Sequence, residues 1–320
     1  MAGSRYTYVK NFELPDPLLP STFFIIRLDG KGFHGFSKAH NFAKPNDVNA
    51  LTLMNEAAKR VMQGRELNGE CVMAFGESDE YSFVFKRSCK LHGRRASKLV
   101  TLVTSIFSSA YVYLWPQYFP NSPLQFEELP VFDGRIVQYT SETEVRDYLR
   151  WRQVDTHINN MYNTCFWALV LQGGRTAQQA NQELSGTISS QKQELLFSNF
   201  GINYNNEAAM FRKGSLIVWE DVPPRADEPR EPEPADAAAA DHPSSSSSST
   251  PTPSDSSAPP TPASFSSTPT PDPSGPPAAP VVRRKKAASP KPKRRLAVVH
   301  EDFIADAWWE TGRGKGMLDG

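Results

Sequence analysis

The chain is short of several things. It has three cysteines among 320 residues, Cys71, Cys89 and Cys165, and none are in a CxxC spacing. An odd, scattered set argues against a disulfide framework and against a cysteine-based zinc site, and suits a reducing compartment. There is no net charge, 35 basic against 35 acidic side chains, so the total gives no sign for or against nucleic acid. No apolar run approaches the roughly 20 residues of a membrane span. The N-terminal stretch from Met1 to Tyr8 has no apolar segment of the secretory kind. Hydrophobic residues make up only 39% and prolines number 27, but the deficit is local. Residues 225–280 are almost entirely Pro, Ser, Thr, Ala and Asp, a composition too poor in apolar groups to offset its conformational entropy, and are expected to be disordered.

What remains is enough for a sizeable core. An apolar run, Thr22-Phe23-Phe24-Ile25-Ile26, leads into Arg27-Leu28-Asp29-Gly30-Lys31-Gly32-Phe33-His34. A second run, Cys71 to Phe75, meets Gly76-Glu77-Ser78-Asp79-Glu80 and continues as Tyr81-Ser82-Phe83-Val84-Phe85. The first reads as a buried strand, the second as a hairpin. Between them, after a glycine-rich loop, Asn46 or Asp47 caps a helix with Val48, Leu51, Met54, Ala58 and Val61 on one face. Residues 95–114 form another helix, and a strand region follows at 129–137. The order β-α-β-β-α-β is the split arrangement of ferredoxin-like folds. Residues 142–184 and 191–197 are read as mostly helical, and Leu216-Ile217-Val218-Trp219 as a strand. The expected organisation is a catalytic α/β (α+β) domain at 1–140, an extension at 141–224, a disordered linker with a basic cluster at 225–296, and a C-terminal segment at 297–320 that returns to the core.

Asp29 and Asp79 each stand where an apolar run meets a glycine-containing turn. A turn alone explains either one, since acidic turn residues are usually just solvated. Together they carry more. Neighbouring strands would bring two carboxylates to one sheet edge, which suits Mg²⁺, an ion that takes few protein carboxylates and leaves room for phosphate oxygens. The Gly30 carbonyl offers a further ligand. Alternation puts Asp79 and Glu80 on opposite faces, and Asp79 is favoured as the ligand. This is the equipment of nucleotidyl transfer. Arg94-Arg95-Ala96-Ser97-Lys98 opens a helix with cations, against the macrodipole; either it is a mildly unfavourable surface cluster or it binds a polyanion. The basic clusters at 283–286 and 291–295 read as a nuclear import signal, a loose nucleic-acid contact or a solvated stretch.

These strings, with His40-Asn41-Phe42-Ala43-Lys44-Pro45-Asn46-Asp47, His157-Ile158-Asn159-Asn160 and Phe200-Gly201-Ile202-Asn203, resemble the tRNA(His) guanylyltransferase family. The resemblance runs over about residues 5–222 and resumes at His300. It implies a palm domain with a helical extension, working in the 3′–5′ direction. It implies ATP-dependent adenylylation of the tRNA(His) 5′ end, attack by the GTP 3′-hydroxyl, and pyrophosphate removal. By the same resemblance Asp29, Gly30 and Asp79 bind two Mg²⁺ ions. Asp29, Gly30, Lys31, Gly32, Phe33 and His34, with Ser78 and Asp79, hold a nucleoside triphosphate. Arg95 and Lys98 contact phosphates of a second nucleotide or of the tRNA end, and Lys44, His157, Lys192 and Asn203 serve tRNA handling. A homotetramer, an import receptor as partner, and residence in nucleus and cytoplasm complete the expectations. The 225–296 insertion departs from the family pattern. A nucleotide cyclase on the same palm is one rival, against which the long region 142–222 counts. A non-catalytic RNA-binding module is another, and paired carboxylates that repel phosphate count against it.

Overall fold

The computed structural model describes residues 4–222 and 294–319. The expected disorder at 225–280 and most of the basic cluster lie outside the described residues. The expected order of elements is present: β1 (Phe23–Gly30), a short α1 (Phe33–Ala39), α2 (Val48–Gln63), β2 (Cys71–Glu77), β3 (Glu80–Phe85), α3 (Ala96–Tyr118) and β4 (Phe132–Tyr139). The remaining elements are α4 (Glu142–Leu171), α5 (Ala177–Leu184), α6 (Ser189–Phe200), α7 (Ala209–Lys213), β5 (Ser215–Asp221), β6 (Arg294–Val299) and α8 (Asp306–Glu310). The strands make one sheet in the order β4-β1-β3-β2-β5-β6, antiparallel at every pairing. Its first four strands reproduce the ferredoxin-like arrangement; β5 and β6 widen it beyond β2.

Strand alternation gives the sheet two dry faces. Phe24, Ile26 and Leu28 of β1 and Tyr81, Phe83 and Phe85 of β3 pack under α2 and α3. Phe23, Ile25 and Val84 face the other way, against Val145, Tyr148 and Leu149 of α4 and against Phe303 and Trp309 of the C-terminal segment. Each such aliphatic or aromatic side chain contributes about 1.5–3 kcal/mol of transfer free energy. The far half of α4 builds a third small core with α5 and α6, around Cys165, Leu169, Leu184 and Leu196.

Local chemistry sets the ends of the elements. Asp47 caps α2 by accepting from the Ala50 amide at 3.0 Å. Ser141 and Glu144 form a capping box at the start of α4. Three findings differ from the sequence reading. The glycine-rich loop after β1 contains α1, entered through Gly32 in the left-handed region at φ 71°. α3 passes the length and apolarity test for a membrane-crossing helix, yet its Leu99, Val103, Phe107 and Tyr111 stripe is buried in the core. Third, Arg294 and Arg295, read as part of the basic linker, are strand residues of β6.

Candidate active site

β1 and β3 pair in a register that sets Asp29 opposite Glu80. Ser78 and Asp79 are the two-residue turn between β2 and β3, with Ser78 at φ 48°. The Gly30 amide donates to the Asp79 carbonyl at 3.0 Å, which fixes this turn against the end of β1. A Cβ on Gly30 would lie 2.3 Å from the Phe33 ring, so only glycine lets the chain fold back here. Burial, and then the charge of Asp29, push the Asp79 carboxyl above its ordinary value, against the Ser78 hydroxyl that donates to Asp79 Oδ1 at 2.9 Å. No Lys or Arg pairs with either carboxylate among the described residues. Two close, uncompensated carboxylates fit a divalent cation. The described residues hold no cluster of three or more His, Cys, Asp or Glu side chains suited to a metal, and a pair is the count that suits Mg²⁺ when phosphate oxygens complete the shell.

Asp79 also lines a cavity of about 600 Å³ beyond the sheet end. Phe33, His34 and Ser78 form the near wall; Lys44, Asn46 and Asp47 form a second; Thr156, Asn160 and Trp167 of α4 form the third. The loop is built to hold this shape. Asp47 Oδ2 accepts from the Ala43 amide at 2.8 Å, and Asn46 Nδ2 donates to Asn160 Oδ1 at 2.8 Å. Lys44 Nζ lies 3.4 Å from Ser37 Oγ and 5.5 Å from the centre of the Trp167 ring. Beneath the loop the His40 ring is buried between Phe36 and Trp115, with Nδ1 2.9 Å from Ser122 Oγ.

On the α4 side, Glu80 meets Arg152 and Arg27 rather than solvent. Asp79 and Glu80 thus diverge: Asp79, in the turn, lines the cavity, while Glu80, the first residue of β3, does not. Glu77, deeply buried, is pushed up to about 7, chiefly by desolvation.

The predicted residues separate into three places. Asp29, Gly30, Lys31, Gly32, Phe33, His34, Ser78 and Asp79 come together at the end of the β1–β3 pair, and Lys44 borders their cavity. His157, Lys192 and Asn203 belong to the α4–α6 region. The Tyr204 hydroxyl donates to the His157 carbonyl at 3.4 Å, Lys192 Nζ donates to Thr187 at 2.7 Å, and Asn203 caps the turn that follows α6. Burial, then Arg212, holds the His157 imidazole below its ordinary value. Arg95 and Lys98 are elsewhere. Arg94, beside them, donates to the Thr22 carbonyl just before β1 begins, while Asp29 is near the end of β1. Seven strand residues separate those ends by about 23 Å. Arg95 pairs with Glu13 at 2.7 Å and Asp16 at 3.4 Å.

Asn160, Trp167 and Arg152 are site neighbours that sequence reasoning passed over as functional groups. A polar residue on the inner face of an otherwise apolar helix stripe was the available signal.

Two family profiles match the chain: "tRNAHis guanylyltransferase" over residues 6–140 and "Thg1 C terminal domain" over 143–305. The tRNA(His) guanylyltransferase of Eremothecium gossypii is 55% identical over 217 residues, covering 68% of this chain and 91% of that protein. The chain belongs to the tRNA(His) guanylyltransferase family. It is a nucleotidyltransferase by that membership. The guanylyltransferase of Saccharomyces cerevisiae is 52% identical over 218 residues, with 68% and 91% covered. The crystal structure of the Saccharomyces cerevisiae enzyme superposes with a TM-score of 0.64, covering 67% of this chain and 93% of that one. A bacterial guanylyltransferase-like protein in complex with ATP shares the fold at 22% identity and a TM-score of 0.54, over 67% of this chain and 84% of that chain.

Proposed function

We propose that this enzyme adds a guanosine to the 5′ end of tRNA(His), with ATP and GTP as substrates. The observation that carries the reading is the Asp79 carboxylate on the wall of a cavity wide enough for a nucleotide, with the charge of Asp29 close enough to act on it. In the first transfer the tRNA 5′-phosphate attacks the α-phosphorus of ATP and pyrophosphate leaves. In the second the GTP 3′-hydroxyl attacks the adenylylated end, AMP leaves, and the terminal pyrophosphate is then removed. Asp29, Asp79 and the Gly30 carbonyl would hold two Mg²⁺ ions, which supply charge neutralisation at the attacking and leaving oxygens.

The chain's own groups define the rest. The Gly30 and Lys31 amides are committed to the Asp79 and Val131 carbonyls, so a backbone cradle for a triphosphate falls to residues 32–34. Phe33, rigidly packed on Gly30, keeps that segment in place. Lys44 offers a cation on the opposite cavity wall, and α4–α6 with His157, Lys192 and Asn203 form the tRNA-handling side. Arg95 and Lys98 stand too far away to reach a phosphate between Asp29 and Asp79 of their own chain. Their role in binding phosphate therefore calls for a second copy, in line with the homo-oligomer, a tetramer, that the family resemblance implies. A nuclear and cytoplasmic enzyme, imported through its basic cluster, is part of the same proposal.

The test is direct. Purified protein is incubated with 5′-monophosphorylated tRNA(His), ATP, labelled GTP and Mg²⁺. The expected products are AMP and a tRNA one nucleotide longer at its 5′ end. Absence of that product, or formation of a cyclic nucleotide instead, would overturn the assignment.

A further inference from the structure

The turn that carries Asp79 is closed by two glutamates. Glu77 and Glu80 are cross-strand partners at its base. Their side chains are 9% and 14% exposed, and like charges set opposite each other on one sheet face push apart. In a poorly solvated place that repulsion is stronger than in water. One guanidinium answers both. Arg152 Nη1 donates to the two oxygens of Glu80 at 3.1 and 2.9 Å, and stands 3.6 Å from Glu77 Oε1. Its Nη2 donates to Asp155 Oδ2 at 2.7 Å, one turn further along α4. The Trp151 ring lies 3.8 Å from the guanidinium carbon. Arg27, the other cation nearby, reaches only Glu80, at 3.6 Å. The Arg152 side chain is 7% exposed, on a helix whose preceding turn is anchored by Tyr148 against Ser82 at 2.8 Å.

We infer that Arg152 is a positioning residue for the transfer reaction. It pins the two strands that enter and leave the Ser78–Asp79 turn, and so holds the Asp79 carboxylate against Asp29. Its planar fork is needed, because Nη1 serves the two glutamates while Nη2 holds Asp155, two places that a single ammonium cannot occupy at once. The inference rests on the two-carboxylate reading of the site, but its first readout does not.

That readout is amide hydrogen exchange of the protein without substrate. In Arg152→Met, the peptide spanning 76–82 should exchange at least about tenfold faster, while peptides from α2, α3 and β5 stay as in the wild type. Guanylyl addition should fall roughly 10–100-fold, with a several-fold higher Mg²⁺ concentration for half-maximal rate and an unchanged KM for tRNA(His). Assayed above neutral pH, where Glu77 is ionised, adding Glu77→Gln removes one of the two opposed charges, and the double variant should recover most of the lost activity and the slow exchange. Arg152→Lys should fall between wild type and Arg152→Met in both measurements, and it serves in their place if Arg152→Met does not fold. Uniformly faster exchange across the sheet, a double variant no better than the single one, or an unshifted Mg²⁺ dependence would show a merely structural ion pair and overturn the inference. An inactive wild type would count against the proposed function and leave the exchange comparison standing.

Discussion

Asp221 and Arg294 face each other as a pair of the β5–β6 ladder, with Arg294 Nε donating to Asp221 Oδ1 at 3.0 Å across 73 positions of sequence. The chain leaves the sheet and re-enters it at adjacent points. A short connection can therefore span the gap, and lengthening it costs only about 0.6 kcal/mol per doubling in loop-closure entropy.

Deleting residues 228–280 should accordingly leave kcat/KM for guanylyl addition within about twofold of the full chain, and thermal stability nearly unchanged. Limited proteolysis, melting curves and activity on the two proteins check this together. A lower melting temperature in the deleted form would mean that the segment packs on the core.

Asp29→Ala and Asp79→Ala should each lower both adenylylation and guanylyl addition by more than about 100-fold, because both transfers need the same pair of carboxylates. Stability should move the other way at position 79. A carboxyl whose pKa is raised on folding destabilises the folded state wherever it is ionised. Asp79→Asn, measured in chelator at pH 7, should therefore melt higher than the wild type. A melting point below wild type would contradict the burial-and-repulsion account of this carboxyl.

His40 predicts a pH dependence. Burial holds its imidazole below the ordinary 6.5, with Glu128 opposing weakly. The unfolded chain then takes up the proton more readily than the folded one. Stability from this residue is complete above about 6.5 and drains away as the pH falls toward the lower folded value. Glu77, raised to about 7, has the opposite sign: its burden on the folded state is relieved as the pH falls. The difference in melting temperature between wild type and His40→Gln isolates the histidine, and it should narrow between pH 7 and 5. A constant gap would assign His40 to packing alone.

Arg95→Ala should impair nucleotide use, yet mixing it with Asp79→Ala should restore part of the lost activity. Each defective chain would supply what its neighbour lacks. Inactive mixtures of co-refolded chains would mean that Arg95 serves its own chain, as the ion-pair partner of Glu13 and Asp16.

Local signals were enough for much of this architecture. α2 could be read from Asp47 and the stripe through Met54 and Val61, because a cap and a 3.6-residue period are written in one short window. The β2–β3 hairpin and the Asp79 turn were legible for the same reason. α1 was hidden because Gly32 precedes it, Gly35 lies inside it, and its seven residues are too few for a period to show. β6 was hidden because its partner Asp221 lies on the far side of a long low-complexity stretch. The Arg152 cluster had no local signature at all: its meaning comes from two glutamates more than seventy residues earlier. Arg95 and Lys98 could be named from sequence, but their distance from Asp29 is a property of the sheet.

The thirty residues of α4 make a bar about 45 Å long. One end is seated on the sheet through Val145 and Leu149; the other carries the separate core of Cys165 and Leu169. Between these seats stand Arg152, Thr156 and Asn160, facing the Asp79 turn and its cavity. Phase along this bar therefore matters as much as composition. Loss of a single residue between 157 and 163 would shorten it by about 1.5 Å and rotate the distal core by roughly 100° about the helix axis. The Asn46–Asn160 bond could not survive that rotation together with the Cys165–Leu196 packing. Insertions and deletions in this span should be as damaging as loss of a site residue, even where every side chain named above is retained.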